Sequence, residues 1–557
     1  MTRLQRLLDA AKNRPTRGGG AVKSDDGSSQ MTLTADFITH HLRALDFGRR
    51  GKWSEMEAHL LRALAARPDE YWSLFRLARA LDKLGRANEA EQVFLSCLAL
   101  RPNSSHARAH RAYVLFGKRR WEDARAACEE ALAIDPNNTT ALSTLIVVQG
   151  NLRDVDAARG RYGELVRLAT NDRLRSKAEN ALGVALENAK RLSEAIERYE
   201  AALKIDPENI AALRNRALAY MQTTQSNEAL DVIQRAVELR PDLPEVHFVL
   251  ANAFFGLRQY QEAEKAFTTA IELDPNFALA YYNRGVLRRK RNDLAAAMAD
   301  QERALALSPN SANAHHERAQ ILGAQSRKPP TDRTRLLLWA VDEINRAIAL
   351  RPEDADYLVT RAKLYGDLRH FDLAVADLDE AMSIQPEHQD ARLTRGVILF
   401  ERGDMAGLVA DFLELIKRQP DHPQSAGLWN SIAVAREKLA DIDGARDAFK
   451  SSLKIAWNSD HAENFAQLEL GQRRLDVTIG LCDEILQRAP DRWRALALRG
   501  QSRFRIGDVT TAISDLDRAF ELQPALVEAR VLRAEANLLL GKVADARRDL
   551  QAVSINA

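Results

Sequence analysis

The sequence lacks most of the features that define secreted, membrane-spanning and strongly charged proteins. Its 557 residues include only three cysteines, too few for a disulfide framework in a chain of this length. Aromatic residues make up 6%, and the net charge is only +2. No apolar run approaches the ~18 residues of a membrane span. These absences predict no direct membrane insertion and no nucleic-acid partner.

The N-terminus lacks the apolar core of a secretory signal peptide, so we expect a cytoplasmic protein. Residues 14–30 are rich in Gly, Ser and Asp, a composition typical of a flexible linker. Before them, residues 1–13 place four apolar side chains on one helical face: Leu4, Leu7, Leu8 and Ala11. This segment is either a frayed terminus or a short helix that docks on a partner or on the rest of the chain.

Proline, although sparse, recurs at a fixed spacing of 34 residues, which indicates an internal repeat. The regularly spaced prolines are Pro68, Pro102 and Pro136; Pro207, Pro241, Pro275 and Pro309; Pro352, Pro386 and Pro420; and Pro490 and Pro524. Each period holds two helical patterns. In residues 277–310 the first pattern ends near Asn292, and the second begins near Leu294 and ends before Pro309. Neither helix can bury its apolar stripe alone, so neighbouring repeats must stack.

The repeat resembles the tetratricopeptide repeat. Position 8 is Ala or Gly in most repeats, position 20 is usually Ala, position 24 is large and apolar, and position 32 is Pro. We count fifteen repeats, at residues 37–70, 71–104, 105–138, 139–172, 176–209, 210–243, 244–277, 278–311, 312–354, 355–388, 389–422, 426–459, 459–492, 493–526 and 527–557. The resemblance implies an all-α fold, a right-handed α-solenoid superhelix of antiparallel helix pairs. It predicts about thirty helices and no β-sheet.

Interruptions of the period set the predicted domain limits. The predicted domains are an N-terminal helix and linker (1–36), eight repeats with the first helix of the ninth (37–325), an inserted loop (326–334), the array to repeat 11 (335–422) and repeats 12 to 15 (423–557). Shorter insertions of about three residues occur within 169–180 and 419–427. The loop at 326–334 is either a tolerated surface insertion or a docking loop.

Position 7 is arginine in nine repeats, and in six of these position 23 is acidic. We interpret this pattern as structural charge pairing between the two helices of one repeat. The predicted pairs are Arg284 with Asp300, Arg318 with Glu343, Arg361 with Asp377, Arg395 with Asp411, Arg499 with Asp515, and Arg533 with Asp549.

The resemblance also implies that positions 2, 5, 9 and 12 of each first helix line a concave groove. The peptide-binding candidates at or beside these positions fall in two groups: Trp72, Phe75, Arg79, His106, Tyr113 and Phe116; and Phe248, Asn252, Phe255, Tyr282 and Arg289. Aromatic residues beside arginine make good anchors for a peptide. The alternative is that several of them only pack against neighbouring helices.

No phosphate-binding loop, dinucleotide fingerprint or zinc-protease motif occurs, so we predict neither enzymatic activity nor a cofactor nor a metal. Cys97, Cys128 and Cys482 stand at packing positions of the repeat. Two pairs of adjacent histidines, His40–His41 and His315–His316, are poor chelates because neighbours on a helix point about 100° apart.

The sequence therefore predicts a non-enzymatic scaffold that binds proteins or extended peptides through the groove. Two alternatives are an accessory subunit of a bacterial envelope or polysaccharide-synthesis machine, and the partner chain of a separate enzyme such as a glycosyltransferase. The last helical pattern carries Val543, Ala546, Leu550 and Val553. We expect either Arg547, Arg548 and Gln551 to shield this face, or a weak homodimer contact or partner subunit to cover it.

Overall fold

The computed structural model describes residues 27–328, 332–418, 423–524 and 526–554. In this part of the chain there are thirty helices and no β-strand, as the repeat predicted. Residues 1–13, including the predicted N-terminal helix, lie outside the described residues.

The helices, in chain order, are α1 Gly27–Arg49, α2 Trp53–Ala66, α3 Tyr71–Lys83, α4 Ala87–Leu100, α5 Ser105–Gly117, α6 Trp121–Ile134, α7 Thr139–Asn151, α8 Val155–Leu168, α9 Asp172–Asn188, α10 Leu192–Ile205, α11 Ile210–Gln222, α12 Ser226–Leu239, α13 Pro244–Gly256, α14 Tyr260–Leu273, α15 Ala278–Lys290, α16 Leu294–Leu307, α17 Ala312–Gln325, α18 Arg333–Leu350, α19 Ala355–Asp367, α20 Phe371–Ile384, α21 Gln389–Arg402, α22 Met405–Arg418, α23 Pro423–Lys438, α24 Ile442–Ile455, α25 Ser459–Gly471, α26 Leu475–Arg488, α27 Trp493–Arg505, α28 Val509–Leu522, α29 Val527–Leu539 and α30 Val543–Ser554.

The chain forms two compact units, Met1–Leu287 and Arg288–Ala557. Within each unit a helix packs against its neighbours in the chain, and the more extensive contacts that skip one helix join odd-numbered helices. Examples are α7 with α9 in the first unit and α19 with α21 in the second. Each unit is therefore an α-solenoid in which the first helices of successive repeats lie side by side. The predicted limits at residues 36, 325, 334 and 422 stay predictions.

Three helices extend into segments that lie outside the regular repeats. Helix α1 begins at Gly27, inside the predicted linker, and α18 begins at Arg333, inside the predicted loop. Helix α9 absorbs the extra residues before repeat 5 and reaches 17 residues. Lengthening an existing helix adds one hydrogen bond per residue without a new nucleation cost, so short insertions readily become helical. Residues 329–331 and 419–422 lie outside the described residues.

The turn inside almost every helix pair passes through a left-handed residue at repeat position 15. Fourteen residues there have positive φ, and only five of them are glycine. They are Gly51, Gly85, Arg119, Arg153, Lys190, Thr224, Arg258, Asn292, Arg369, Gly403, Ala440, Arg473, Gly507 and Gly541. A non-glycine residue in this conformation costs about 1 kcal/mol or more, so the packing of the pair must offset that cost. In repeat 9 the insertion replaces this turn, and Ser326 is right-handed with φ −61°.

Small residues at position 8 let the two helices of a pair approach closely. A Cβ atom added to Gly183 would lie 2.5 Å from Cε1 of Tyr199, and one added to Gly500 would lie 3.0 Å from Cγ of Leu516. Both partners stand sixteen residues further along, at position 24. Because neither Tyr199 nor Leu516 is exposed to solvent, the large side chain fills the space that the glycine leaves.

The same sixteen-residue offset joins arginine to a buried acid in the second unit. Nε and Nη2 of Arg361 donate to Oδ2 and Oδ1 of Asp377 at 2.8 and 2.7 Å. Arg499 holds Asp515 in the same way at 2.9 and 2.6 Å. The Arg395–Asp411 and Arg533–Asp549 pairs repeat this two-pronged geometry. The hydrogen bonds from Arg361 to Asp377 raise the pKa of that guanidinium, which remains fully charged.

Each of these arginines also reaches back sixteen residues, to the second helix of the preceding repeat. Nη1 of Arg499 donates to Asp483 at 2.6 Å, and Nη1 of Arg533 donates to Asp517 at 2.9 Å. The corresponding acceptors are Asn345 for Arg361 and Asp379 for Arg395. We call this three-part contact the arginine bridge, because one guanidinium joins two successive repeats. The sequence interpretation missed the backward partner.

Two of the six predicted pairs differ from this geometry. Arg318 Nη1 lies 3.2 Å from Glu343, whose other oxygen lies 2.7 Å from Nδ1 of His315. The insertion in repeat 9 moves the acid away from the sixteen-residue offset, which accounts for the weaker contact. Arg284 and Asp300 fall in different units, so their pairing stays a prediction.

The last helix, α30, presents apolar side chains to solvent. Val543 and Leu550 are exposed, whereas Ala546 is buried against α29. Arg547, Arg548 and Gln551 are also exposed. The side chain of Val553 lies outside the described residues. A homodimer contact or partner subunit on this face stays a prediction.

We predict that Asp515→Ala lowers the free energy of unfolding of the second unit by about 3 kcal/mol, because it leaves the guanidinium of Arg499 without its buried partner. Asp517→Ala removes a half-exposed carboxylate and should cost less than about 1 kcal/mol. Urea unfolding followed by circular dichroism, with hydrogen exchange in α27 and α28, measures both effects.

The double variant Arg499→Met, Asp515→Leu controls for the loss of packing. Its free energy of unfolding should lie closer to that of the unsubstituted protein than that of Asp515→Ala does, since Arg499 is removed together with its buried partner and only Arg503 loses its 2.8 Å contact with Asp515. Equal destabilisation by Asp515→Ala and Asp517→Ala would contradict the structural role of the arginine bridge.

Candidate functional site

The first unit contains a cavity of about 410 Å³ between the first helices of four successive repeats. We call it the α3–α9 groove. Its floor is apolar and includes Phe94, Val114, Val147 and Ala181. Its rim carries Arg79 and Lys83 from α3 and Lys177 from α9. The rest of the lining comes from all four helices: Asp82 of α3; His110, Tyr113 and Phe116 of α5; Thr140, Ser143 and Thr144 of α7; and Asn180 and Val184 of α9.

Helices α5 and α7 give the groove an unusual charge distribution. Helix α7 carries no charged residue, and α5 carries arginine and histidine but no acid. None of Arg79, Lys83 and Lys177 forms an ion pair with a described residue, although many other arginines of the chain do. Burial raises the pKa of Asp82, the acid in the lining, and its carboxylate lies on the same helix as Arg79 and Lys83. The groove is therefore apolar at its centre and positive at its two ends.

Gly150 sets the spacing between two walls of the groove. A Cβ atom at this position would lie 2.7 Å from the carbonyl carbon of Ala185, so α7 and α9 approach backbone to backbone. Any side chain there would push the helices apart, because helix interfaces are close-packed.

His110 supports the floor as a neutral aromatic ring. It contacts Phe75 edge to face at 5.1 Å and stacks on Phe94 at 6.1 Å. Burial, together with the nearby positive charges of Arg79 and His106, lowers the pKa of His110 to about 4. At neutral pH the positive charge of the groove therefore comes from its arginine and lysines.

The first group of predicted groove residues divides between rim, surface and core. Arg79, Tyr113 and Phe116 line the groove, and Tyr113 is 48% exposed. Trp72 is 43% exposed and is flanked by the guanidinium groups of Arg76 and Arg101 at 5.9 and 6.0 Å. His106 is also exposed, outside the lining.

The assignment of Phe75 to the groove surface is wrong, because its side chain is only 6% exposed and packs in the core with Phe94. The aromatic ring serves the helix pair, and a ligand in the groove would not contact it directly.

The second group provides less open surface than expected. Phe248 is partly buried and packs against Phe267 and Phe277 at 5.9 and 5.1 Å, and its role as an anchor stays a prediction. Phe255 and Tyr282 are partly buried, and Phe255 contacts Tyr260. Asn252 accepts a hydrogen bond from Asn283 at 2.9 Å. Arg289 belongs to the second unit, where its guanidinium donates to the buried carboxylate of Glu317.

The sequence interpretation missed the contribution of repeats 4 and 5. Thr140 and Lys177 stand at position 2, and Ser143 and Asn180 at position 5, of their repeats. These are the groove positions that the family resemblance implied, but in repeats 4 and 5 they carry no aromatic side chain that would mark them in the sequence. Asn180 Oδ1 also accepts from Asn215 Nδ2 at 3.0 Å, which joins the groove to the next first helix, α11.

The described residues contain no cluster of three or more His, Cys, Asp or Glu side chains arranged to hold a metal ion. Burial raises the pKa of each cysteine thiol, Cys97, Cys128 and Cys482, to about 12. Among the helices described, none combines the length and apolarity needed to cross a membrane.

We predict that the stability of the first unit falls as the pH drops from 6.5 towards 4, in part because the folded state resists protonation of His110. Folding lowers the pKa of His110, so the stabilisation that comes from keeping this ring neutral is complete above pH 6.5 and is lost as the pH falls to about 4. His110→Phe keeps the ring and removes the titration. Over this pH range the His110→Phe variant should lose less stability than the unsubstituted protein, by on the order of 2 kcal/mol.

Chemical denaturation at a series of pH values measures this slope, with His106→Phe as the control on the exposed side of the same helix. If His110→Phe and the unsubstituted protein show the same slope, the ring is not held neutral by its surroundings.

Sequence models described as tetratricopeptide repeat match most of the chain. One matches residues 41–105, 75–139, 147–210, 248–312, 359–423, 464–525 and 498–555, and a second matches 188–253.

Curated relatives share only part of their length with this chain. RNA polymerase II-associated protein 3 of Homo sapiens is 28% identical over 137 residues, which cover 25% of this chain and 21% of that protein. The Hsp70-Hsp90 organizing protein of Triticum aestivum is 27% identical over 194 residues, which cover 34% of this chain and 32% of that protein. The chain thus spans between a fifth and a third of the length of these relatives.

Among solved structures, the human IFIT1 dimer with PPP-AAAA aligns with a TM-score of 0.44 and 17% identity. The alignment covers 75% of this chain and 91% of that one.

Proposed function

Because the chain belongs to the tetratricopeptide repeat family, we propose that it is a non-enzymatic, cytoplasmic scaffold that binds an extended segment of another protein in the α3–α9 groove. The observation that carries this proposal is the 410 Å³ cavity, which has an apolar floor and the half-exposed ring of Tyr113 at its edge. Cavities of this size and composition are typical of ligand sites.

The geometry of the groove suits an extended segment. Neighbouring helices pack about 9 Å apart, so a segment crossing α3, α5, α7 and α9 covers about 27 Å, or about eight residues in extended conformation. Thr140, Ser143 and Asn180 supply both donors and acceptors along this path, as a peptide backbone requires. Trp72 lies on the same helix as the rim residues Arg79 and Lys83 and provides a second aromatic contact beyond the cavity.

The name of the wheat relative describes a protein that organizes Hsp70 and Hsp90, which supports a scaffold role for this chain. The envelope or polysaccharide-synthesis role and the partnership with a glycosyltransferase stay predictions, and the two curated relatives described above are eukaryotic.

We predict that the double variant Trp72→Ala, Tyr113→Ala weakens binding of the natural partner at least thirtyfold, because each exposed aromatic anchor typically contributes ~2 kcal/mol. The partner is first identified by affinity capture and mass spectrometry from the native host, and its binding to the purified chain is then measured by isothermal titration calorimetry.

Trp339→Ala is the matched control, because this tryptophan is also about half exposed but lies on α18 of the second unit. Full affinity in the Trp72→Ala, Tyr113→Ala variant, or an equal loss in Trp339→Ala, would show that the partner binds elsewhere.

A further inference from the structure

The positive charge of the α3–α9 groove is concentrated at its two ends. At the α3 end Arg79 and Lys83 outnumber the single carboxylate of Asp82, and Lys177 lies at the α9 end. All three cations are exposed and form no ion pair with a described residue. Between them α7 carries no charge at all. A ligand that complements this surface is therefore negative at two separated points and uncharged between them.

The centre of the groove is apolar and enclosed enough to hold a bulky side chain. Val114, Val147 and Phe94 form its floor, and Tyr113 and Phe116 stand beside it. Because Gly150 brings α7 and α9 into backbone contact, the α7–α9 wall is closed to a second chain and the cavity stays compact. Burying one large apolar side chain here would tighten binding about thirtyfold.

We propose that the partner segment is an internal acidic peptide with one large apolar residue, whose side chain enters the cavity while acidic residues on either side meet Arg79 and Lys83 at one end and Lys177 at the other. This inference rests on the proposed function and names the chemistry of its partner.

A single-stranded nucleic acid fits the groove less well. Its phosphates repeat at every nucleotide and require a continuous positive track, which the uncharged α7 interrupts. The polar side chains of the lining between the two ends, Thr140, Ser143 and Asn180, are uncharged and cannot neutralise phosphates.

Pools of fluorescein-labelled, C-terminally amidated twelve-residue peptides test the proposal on the full chain by fluorescence anisotropy. Every pool has Leu or Phe fixed at the sixth position. The flanks are drawn from Asp, Glu, Ser and Gly in the acidic pool, from Lys, Arg, Ser and Gly in the basic pool, and from Ser, Gly, Asn and Gln in the neutral pool. A fourth pool is acidic with Ser at the sixth position. A labelled twelve-nucleotide uridine RNA is measured in parallel.

We expect the acidic Leu/Phe pool to bind at least tenfold more tightly than the basic, neutral and acidic-Ser pools and the RNA, with an affinity that falls as salt is raised. Lys177→Glu and Arg79→Glu should each weaken this binding about tenfold. Arg173→Glu reverses an exposed charge on the same helix, α9, but outside the groove. This variant should keep the affinity for the acidic Leu/Phe pool within twofold. All three substitutions are at exposed positions, and circular dichroism verifies that the variants are folded.

The outcomes separate this inference from the proposed function. Equal or tighter binding of the basic or neutral pool overturns the acidic assignment but leaves a peptide groove. Tighter binding of the acidic-Ser pool overturns the role of the apolar residue. Preferential binding of the RNA, or equal loss in Arg173→Glu and Lys177→Glu, overturns the assignment of the two charged ends. Failure of every pool to bind overturns both proposals.

Discussion

The fold depends on a register in which residue i of the first helix of a repeat faces residue i+16 of the second. Gly183 meets Tyr199 and Gly500 meets Leu516 across this register, and the arginine bridges use the same offset one position earlier. The left-handed residue at position 15 turns the chain so that the two helices run back along each other. Since neither helix buries its apolar face alone, the fold requires both this pairing and the stacking of the next repeat.

The two units satisfy this requirement with different arrangements of charged residues. In the second unit each arginine bridge ties a buried aspartate to the preceding repeat, so the contact between repeats is partly ionic. In the first unit Arg216 reaches back to Glu200 at 2.6 Å, but position 23 of its repeat is Val232 and its Nε has no hydrogen-bond partner. Other ion pairs join successive repeats of the first unit, such as those of Glu91 with Lys118 and Arg120 at 2.6 and 3.1 Å. Gly150 also brings α7 and α9 into close backbone contact next to the groove. The arginines of the bridges and the cations that line the groove are thus separate sets, since Arg79 and Lys177 lie outside the bridges.

The period of the sequence and its resemblance to the tetratricopeptide repeat were sufficient to predict the helix number and the antiparallel pairs, because each period holds two helical patterns. The backward partners Asp483 and Asp517 were not predicted, since they depend on how one repeat is placed against the next. The turn at position 15 was not predicted either, because its residues include Arg119 and Ala440 as well as glycine.

Burial was the least predictable property of the candidate site. Phe75 and Tyr113 both looked like groove aromatics in the sequence, but rotation about the helix axis puts the first in the core and the second at the rim. Thr140 and Lys177 have no distinctive side chain and gain significance only from the cavity they line.

The central claim is that the face formed by α3, α5, α7 and α9 contacts a protein partner. Site-specific photo-cross-linking in the native host tests it most directly, with p-benzoylphenylalanine placed at Tyr113 in the groove or at Glu129, an exposed residue of the even-numbered helix α6. The account predicts that position 113 cross-links to a defined segment of another protein and that position 129 does not. Cross-links to protein from position 129 alone, or to RNA alone from position 113, would contradict it.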